Sequence, residues 1–568
     1  MCGIAGVFNF NSKPVEINQL REMGNSMHHR GPDGEGFWIS DDAEIGFAHR
    51  RLSIIDLSEK AGQPMHFRSR YTIVYNGEIY NYIELRQSLI KNGYTFQTDS
   101  DTEVILASYD FLKEKCLETF DGMFAFAIWD EKEKRLFCAR DRYAEKPFHY
   151  SFSKNHFIFS SEIKTLFKAA VEKKIDRKKV EAYLHHNEAI YFDQTFFEGI
   201  KKLPHAHYAI VEKGNISIYP YYKLNNSVIH RYQKDEDYVD HFLNLFELSI
   251  KRRLRSDVPI GSSFSGGLDS SGIVCDLHKL YPNLNYKLFS ARFEDKEKDE
   301  GKWMKYVVDH TTFEQVNVTI IPENIVKFIE KIVYHNEIPV GSTSIAAQFL
   351  LMHKINEQNI KVVLDGQGAD EILGGYGHYR YHYLYDELYQ WRFGNFLKQK
   401  KIYNSLYNQP IRTGYLPIIK LFLAKLIYPG NCDNVFYKSF KNRLQEDFHK
   451  NLPLLLSFAD RNAMAFGVEV RLPFLFHELV DFTMSLPVEQ IYRNAQTKFV
   501  YRNAIRKFTP AEIVERKDKL GYAPPQDKWM HHFLLEEKNE LINQGYRQSP
   551  YAWRNYITHV FLKVAAKL

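Results

Sequence analysis

Cys2, in the opening run Met1-Cys2-Gly3-Ile4-Ala5-Gly6, is the residue best equipped for chemistry. Removal of Met1 would leave a thiol and a free α-amine on one residue. The amine's ordinary pKa of roughly 7.7–8.0 lets it take up and return a proton near neutrality. A nucleophile and a base so combined suit covalent acyl transfer. A lone cysteine near a terminus is otherwise more often a chance occurrence, so the rest of the chain has to support this reading.

A second cluster is Ser265-Gly266-Gly267-Leu268-Asp269-Ser270-Ser271. Its glycines let backbone approach a phosphate, and hydroxyls with helix N-terminal amides hold an anion. The loop lacks the Gly-Lys-Ser/Thr ending of γ-phosphate loops and carries Asp269, a magnesium-ligand type, instead. Val363-Leu364-Asp365-Gly366-Gln367-Gly368-Ala369-Asp370-Glu371 repeats the strand-then-loop pattern. Asp269 and Asp370 are thus placed to converge on one metal at neighbouring strand ends.

These groups must be held by elements of two kinds. Up to about residue 215 the chain reads as short aromatic and β-branched strands, among them 45–48, 71–75, 124–129, 136–139, 157–159 and 207–211. Helical stretches interrupt near 83–91 and 102–115, so stacked sheets covered by helices are expected. Residues 223–236 are polar and aperiodic, and the linker is placed at 216–236. Beyond it, strands at 258–264, 286–291 and 361–364 alternate with helices, which predicts a mainly parallel sheet, and after about 375 the reading is mostly helical. The expected domains are therefore 1–215 and 237–568.

Bulk properties agree with this division. The 568 residues are 44% hydrophobic and 26% charged with 15% aromatic, and exceed one ordinary core. A net charge of +5 without a basic tract gives no reason to expect nucleic acid. Five cysteines without metal-ligand spacing point to a reducing, cytoplasmic setting. No signal-like segment opens the chain, and the most membrane-like stretch, 415–428, is broken by Lys420 and Lys425, so no membrane partner is expected.

Together, the motifs bring a family into view. The whole chain resembles the glutamine-hydrolysing asparagine synthetases. Its first half is similar to class II glutamine amidotransferase domains through Cys2–Gly6, His29-Arg-Gly-Pro-Asp33, Arg51–Asp56, Asn76-Gly-Glu-Ile-Tyr-Asn81, Ser100–Glu103, Asp121–Phe126 and Ser161-Glu-Ile-Lys164. Its second half resembles the ATP pyrophosphatases through Ser265–Ser270, Gly368–Gly375, Glu469-Val-Arg-Leu-Pro-Phe-Leu475 and Lys498. The resemblance implies an α/β two-domain protein: a four-layer α-β-β-α sandwich of the N-terminal nucleophile type, then a mainly parallel sheet of the adenine nucleotide α-hydrolase kind.

The resemblance also implies roles. Cys2 attacks the glutamine amide, and Asn76 with the Gly77 amide forms the oxyanion hole. Arg51 takes the α-carboxylate, and Asp101 with Glu78 the α-ammonium. Ser265 to Ser270, with Asp365 and Gly366, surround ATP, while Ala291 lines the adenine or ribose through its backbone. Asp269 and Asp370 hold Mg²⁺, and Lys498 stabilises charge as ATP reacts. Aspartate is the implied acceptor, ammonia crosses a protein-walled passage, and a homodimer is implied.

Four positions depart from the family pattern. Gln367 replaces the glutamate of the usual Ser-Gly-Glu-Gly loop, and a carboxamide cannot accept a proton as that glutamate does; Asp365 is the nearest substitute. No arginine occurs between Glu337 and Ala347, Phe476 replaces an aspartate, and Ala144-Glu145 stands where Gly-Ile is usual. Three of the four lie in the synthetase half. The acceptor is therefore aspartate or, in a paralogue, another carboxylate such as a uronic, cell-wall or secondary-metabolite acid. A regulatory protein with a dead synthetase site would not need Cys2, Asp269, Asp370 and Lys498 together.

Overall fold

Strand-forming residues pair across the first domain in two sheets. Its strands are β1 (Gly3–Asn9), β2 (Gly34–Ile39), β3 (Ile45–Arg51), β4 (Met65–Phe67), β5 (Tyr71–Ile79) and β6 (Gly122–Asp130), then β7 (Arg135–Arg140), β8 (His149–Phe152), β9 (His156–Ser160), β10 (Lys201–Lys202), β11 (His207–Glu212) and β12 (Asn215–Pro220). One sheet has the order β10-β8-β9-β1-β3-β2 and the other β12-β11-β7-β6-β5-β4. The computed structural model describes residues 2–186, 194–224, 230–407, 438–518, 524–530 and 552–568.

Neighbouring strands are antiparallel, and the sheets stack face to face. Ile4, Phe8 and Phe47 from one sheet meet Val74, Ala127 and Trp129 from the other in a dry layer. Helix Ile17–Ser26 covers the outer face of the first sheet through Leu20 and Met23. Helix Asp101–Leu112 covers the second through Val104 and Ile105. The result is the expected helix-sheet-sheet-helix sandwich.

The second domain opens on helix Asp235–Arg253 and builds a parallel sheet from β13 (Ile260–Ser263), β14 (Lys287–Arg292), β15 (Glu314–Thr319), β16 (Val362–Leu364) and β17 (Glu469–Arg471). Its order is β15-β14-β13-β16-β17. Succession runs outward from β13 to β15, then resumes at β16 on the other side of β13. A crevice opens at such a reversal, beyond the carboxyl ends of the strands. The loops after β13 and β16 flank it and lead into helices Leu268–Leu280 and Ala369–Leu373, whose first turns carry Asp269 and Asp370.

Of these strands, β2, β4, β8, β10 and β12 are not legible in the sequence, and neither are three others. β1 lies inside the Cys2 motif, β15 is an edge strand with half-exposed residues, and β17 is three residues long. The segment assigned to a linker, 216–236, differs in its ends: β12 continues to Pro220, and a helix begins at Asp235. β12 pairs with β11 along its whole length, so the polar run starts after it. The stretch 415–428 and Cys432 lie outside the described residues. Among the described residues no helix is long and apolar enough to cross a membrane, and the four cysteines are buried and free.

Candidate active site

Cys2 sits immediately before β1 and is buried. Its backbone nitrogen donates to Asn76 Oδ1 at 2.9 Å, from β5 of the facing sheet. That contact fixes the amide's orientation and leaves Asn76 Nδ2 as a buried donor with no protein partner. Gly77 follows on β5. A Cβ there would fall 2.1 Å from the Met123 carbonyl oxygen, so the approach of β6 requires glycine. Burial pushes the Cys2 thiol pKa up; the positive chain terminus, the Leu52 N–H and Arg51 pull it the other way.

Arg51, at the end of β3, is aimed by donating to the Ser58 carbonyl at 2.7 Å and to that of Asp56. Asp101 occupies the first turn of its helix, where carboxylates suit the dipole. It accepts from Tyr75 Oη and the Ile79 N–H, both at 2.9 Å. Burial still raises its pKa. Glu78 is raised well above the usual carboxylate range by burial, then by Glu469 and Asp101. One guanidinium and two carboxyl groups thus line a small cavity with Cys2, an arrangement complementary to a free α-amino acid.

The second site is a cavity of about 270 Å³ at the sheet's switch point. Lys498 Nζ reaches Asp269 Oδ1 and Oδ2 at 2.5 and 2.6 Å and Asp370 Oδ1 at 2.7 Å. Burial opposes its charge, but the two carboxylates raise its pKa overall. Lys498 holds a left-handed backbone, φ 58°, just before helix Phe499–Ile505. A non-glycine residue there costs roughly 1–2 kcal/mol, a strain typical of a functional constraint. Gly375 allows the cluster to close, since its Cβ would fall 1.8 Å from Asp370 Oδ1. Two convergent carboxylates are also a fitting donor set for Mg²⁺, which takes one or two of them with substrate phosphates.

Ser265, Gly267, Leu268, Ser270, Asp365, Gly366 and Gln367 line this cavity as well. Two residues expected there do not. Gly266 turns its carbonyl to Arg516, and Ala291 is buried within β14, in register with Val318.

The comparisons agree with this construction. Residues 1–222 match the glutamine amidotransferase domain, and residues 241–566 match asparagine synthase. The chain belongs to the asparagine synthase family. Asparagine synthetase [glutamine-hydrolyzing] 1 of Bacillus subtilis is 33% identical over 98% of this chain and 92% of its own length. A putative asparagine synthetase of Methanocaldococcus jannaschii is 35% identical over 66% of this chain and 76% of that protein. Amidase chry2 of Gibberella zeae is 26% identical over 96% of this chain and 92% of that protein. The chain is a glutamine-dependent carbon–nitrogen ligase of this family.

Several motifs that carry the family likeness fasten the domains together. Arg30 is fully buried. It donates to the Cys2 carbonyl at 3.1 Å and forks onto Asp460 at 3.0 and 3.3 Å. Glu337 caps helix Ile163–Phe167 from the other domain, accepting from the N–H groups of Ile163 and Lys164 at 2.9 and 2.7 Å. Arg461 pairs with Glu337 at 2.8 Å. Although burial opposes its charge, His29, Lys164 and Arg461 hold Glu162 well below the usual carboxylate range. Arg471, on β17, lies 3.8 Å from Glu78. The Glu469–Arg471 motif therefore reaches the glutamine pocket, although the sequence places it in the synthetase half.

Sequence reasoning missed the far wall of the ATP cavity: Arg380, Arg502, Arg516 and Lys517. Arg380 stacks on Tyr407 and donates to its hydroxyl at 3.1 Å, and its Nε is buried without a partner. Arg516 pairs with Glu300 at 2.6 Å beside Trp303. Arg380 lies in the aromatic helix Tyr379–Tyr389, Arg502 in the apolar helix Phe499–Ile505, and Arg516 beyond helix Ala511–Val514, and no motif in the sequence marks them.

The departures have local reasons. Phe476 is fully buried and faces Arg252, so the aspartate position has become core. Ala144 adopts φ 68°, a conformation glycine holds without strain. Glu145 is buried, and burial followed by Asp141 pushes its pKa up to about 8. Gln367 Oε1 is buried without a partner, and its N–H donates to Asp365 Oδ1 at 3.0 Å.

Proposed function

We propose that this chain forms asparagine, AMP, pyrophosphate and glutamate from aspartate, MgATP and glutamine. The reading is carried by the clasp of Lys498 between Asp269 and Asp370, set in a chain whose other half holds Cys2 against Asn76. Cys2 attacks the glutamine amide carbon, and Asn76 Nδ2 and the Gly77 N–H stabilise the oxyanion. The α-amine returns the proton to the departing ammonia, leaving a thioester that water then opens.

In the second cavity the acceptor carboxylate attacks the α-phosphate and expels pyrophosphate, because an adenylate is the better acyl donor. Asp269 and Asp370 would hold Mg²⁺, which when bound neutralises phosphate charge. Lys498 holds positive charge against the same phosphates. Asp365, whose pKa burial raises, takes the proton from attacking ammonia in place of Gln367. An apolar cluster of Leu52, Ile54, Tyr80, Met123, Val362 and Met464, drawn from both domains, borders the glutamine pocket through Leu52 and Ile54. A dry junction of this kind supports transfer of neutral ammonia. Buried free cysteines support a cytoplasmic setting, and a homodimer remains part of the proposal.

A second reading, amidation of another carboxylate, is favoured by Gln367 and by a cavity whose arginines, Arg380, Arg502 and Arg516, come from outside the 337–347 segment. ATP–pyrophosphate exchange across a panel of carboxylic acids separates the two. Aspartate should give the fastest exchange, with magnesium required and AMP formed. A different winner selects the second reading, and ADP with phosphate rejects both.

A further inference from the structure

A third cavity, about 320 Å³, lies where the two domains meet and shares no lining residue with either catalytic site. The first domain contributes Arg140, His149, Lys202 and His205, from β7, β8, β10 and the turn after it. The second contributes His449, Lys450 and Arg461, from helix Leu452–Met464 and the turn before it. Among the described residues that line it, none is acidic.

The arginines are buried, Arg140 on carbonyls alone and Arg461 with one donor left over. Arg140 donates Nε to the Lys146 carbonyl at 2.7 Å and Nη1 to that of Leu203 at 2.8 Å, with no carboxylate in hydrogen-bond reach. Arg461 is 3% exposed and its Nε has no partner, its carboxylate contacts being made through Nη1. His149 Nδ1 faces the Ser161 carbonyl at 3.1 Å and must carry the proton, so Nε2 presents a lone pair to Arg461. Asn336 Nδ2 donates to the Ile332 carbonyl and to Asn462 Oδ1, each at 2.9 Å, which leaves a buried Oδ1 unpartnered. The remaining wall includes Phe196, Leu454 and Phe458. Burial lowers the His149 and His205 pKa values, and the neighbouring cations Arg461 and Arg140 lower them further.

A concave site with several cations, an orphan donor, an orphan acceptor and an apolar wall selects an amphipathic anion. We propose that this interdomain cavity binds a small organic anion, a carboxylate or phosphate monoester carrying an apolar body. Because both domains supply the walls, occupancy ties them together at a point outside both reaction cavities.

Phenyl phosphate, titrated calorimetrically into the full chain, tests this, with benzoate and inorganic phosphate as comparisons. One saturable site per chain is expected, with inorganic phosphate weaker because it lacks the apolar body; benzoate tells which head group is preferred. Lys202→Glu and Ser457→Glu should each weaken binding at least about tenfold by like-charge repulsion, whereas Asp269→Asn in the ATP cavity should not. In the unaltered chain, phenyl phosphate should slow amide exchange around 202–205 and 449–457. Absence of saturable binding, binding that survives both glutamate substitutions, or a loss that Asp269→Asn shares would overturn the proposal.

Discussion

The glutamine pocket draws its polar groups from Cys2 to Asp101, at the ends of β3 and β5 and the first turn of one helix. The ATP cavity gathers residues from Ser263 to Asp518, carried by loops after two strands and by the helical segments beyond them. In the first, antiparallel pairing with β6 fixes the backbone, so the position of Asn76 or Gly77 follows from that register. In the second, the parallel sheet fixes only the two loops around Asp269 and Asp370, while Arg380, Arg502 and Arg516 come from elements that no ladder constrains. A site built on strand ends tolerates few replacements. A wall built from helices can change its acceptor and keep its chemistry.

The largest effect should separate the two sites outright. Cys2→Ala should lower glutamine-driven synthesis by on the order of 10⁴-fold or more while ammonia-driven synthesis persists. Glutamate release and amide formation, assayed in parallel, read this, and glutamine hydrolysis surviving in the variant would remove Cys2 from its role. Asp269→Asn should do the converse, disabling ATP cleavage with either nitrogen source and leaving glutamine hydrolysis intact.

Within the ATP cavity the contrast narrows to two adjacent positions. Asp365→Asn should slow amide formation by about 10²–10⁴-fold, the range of general-base catalysis. Gln367→Glu should keep or raise it. Equal rates for Asp365→Asn and the unaltered enzyme would place the base elsewhere.

The junction should respond more through stability. Asp460→Asn leaves the Arg30 guanidinium buried with less compensation, and removing one partner of such a pair costs about 3–5 kcal/mol. Denaturant unfolding should register that loss, and glutamate release should begin to exceed amide formed. A variant as stable and as tightly coupled as the parent would show that the pair only fills space.

Another effect on stability is one of pH. The folded chain keeps a proton on Glu145 up to about 8, whereas the unfolded chain, with an ordinary value of 4.5, has released it. Stability therefore falls as pH climbs from about 4.5 to about 8, since the folded state binds the extra proton. Glu145→Gln should flatten that slope, read as denaturation midpoints across the interval. An unchanged slope would mean that the carboxylate is compensated in the folded chain.

The sequence by itself determined both nucleotide-side loops, the stacked sheets covered by helices and the parallel sheet, because each rests on local pattern: alternation in strands, glycine where backbones approach, a carboxylate at a helix start; the Cys2 pocket and the four-layer sandwich came through the family resemblance. Ser161–Lys164 and His29–Asp33 were legible as family motifs, but not as fasteners. Only the tertiary structure brought Glu337 onto the start of another domain's helix, Arg30 onto Asp460, and β17 with Arg471 against Glu78. It also decided the cationic wall of the ATP cavity and the basic chamber at the junction. Such placements depend on contacts between residues more than a hundred positions apart, where a buried arginine and a solvated one look alike in sequence, and only packing says which charges lose their water.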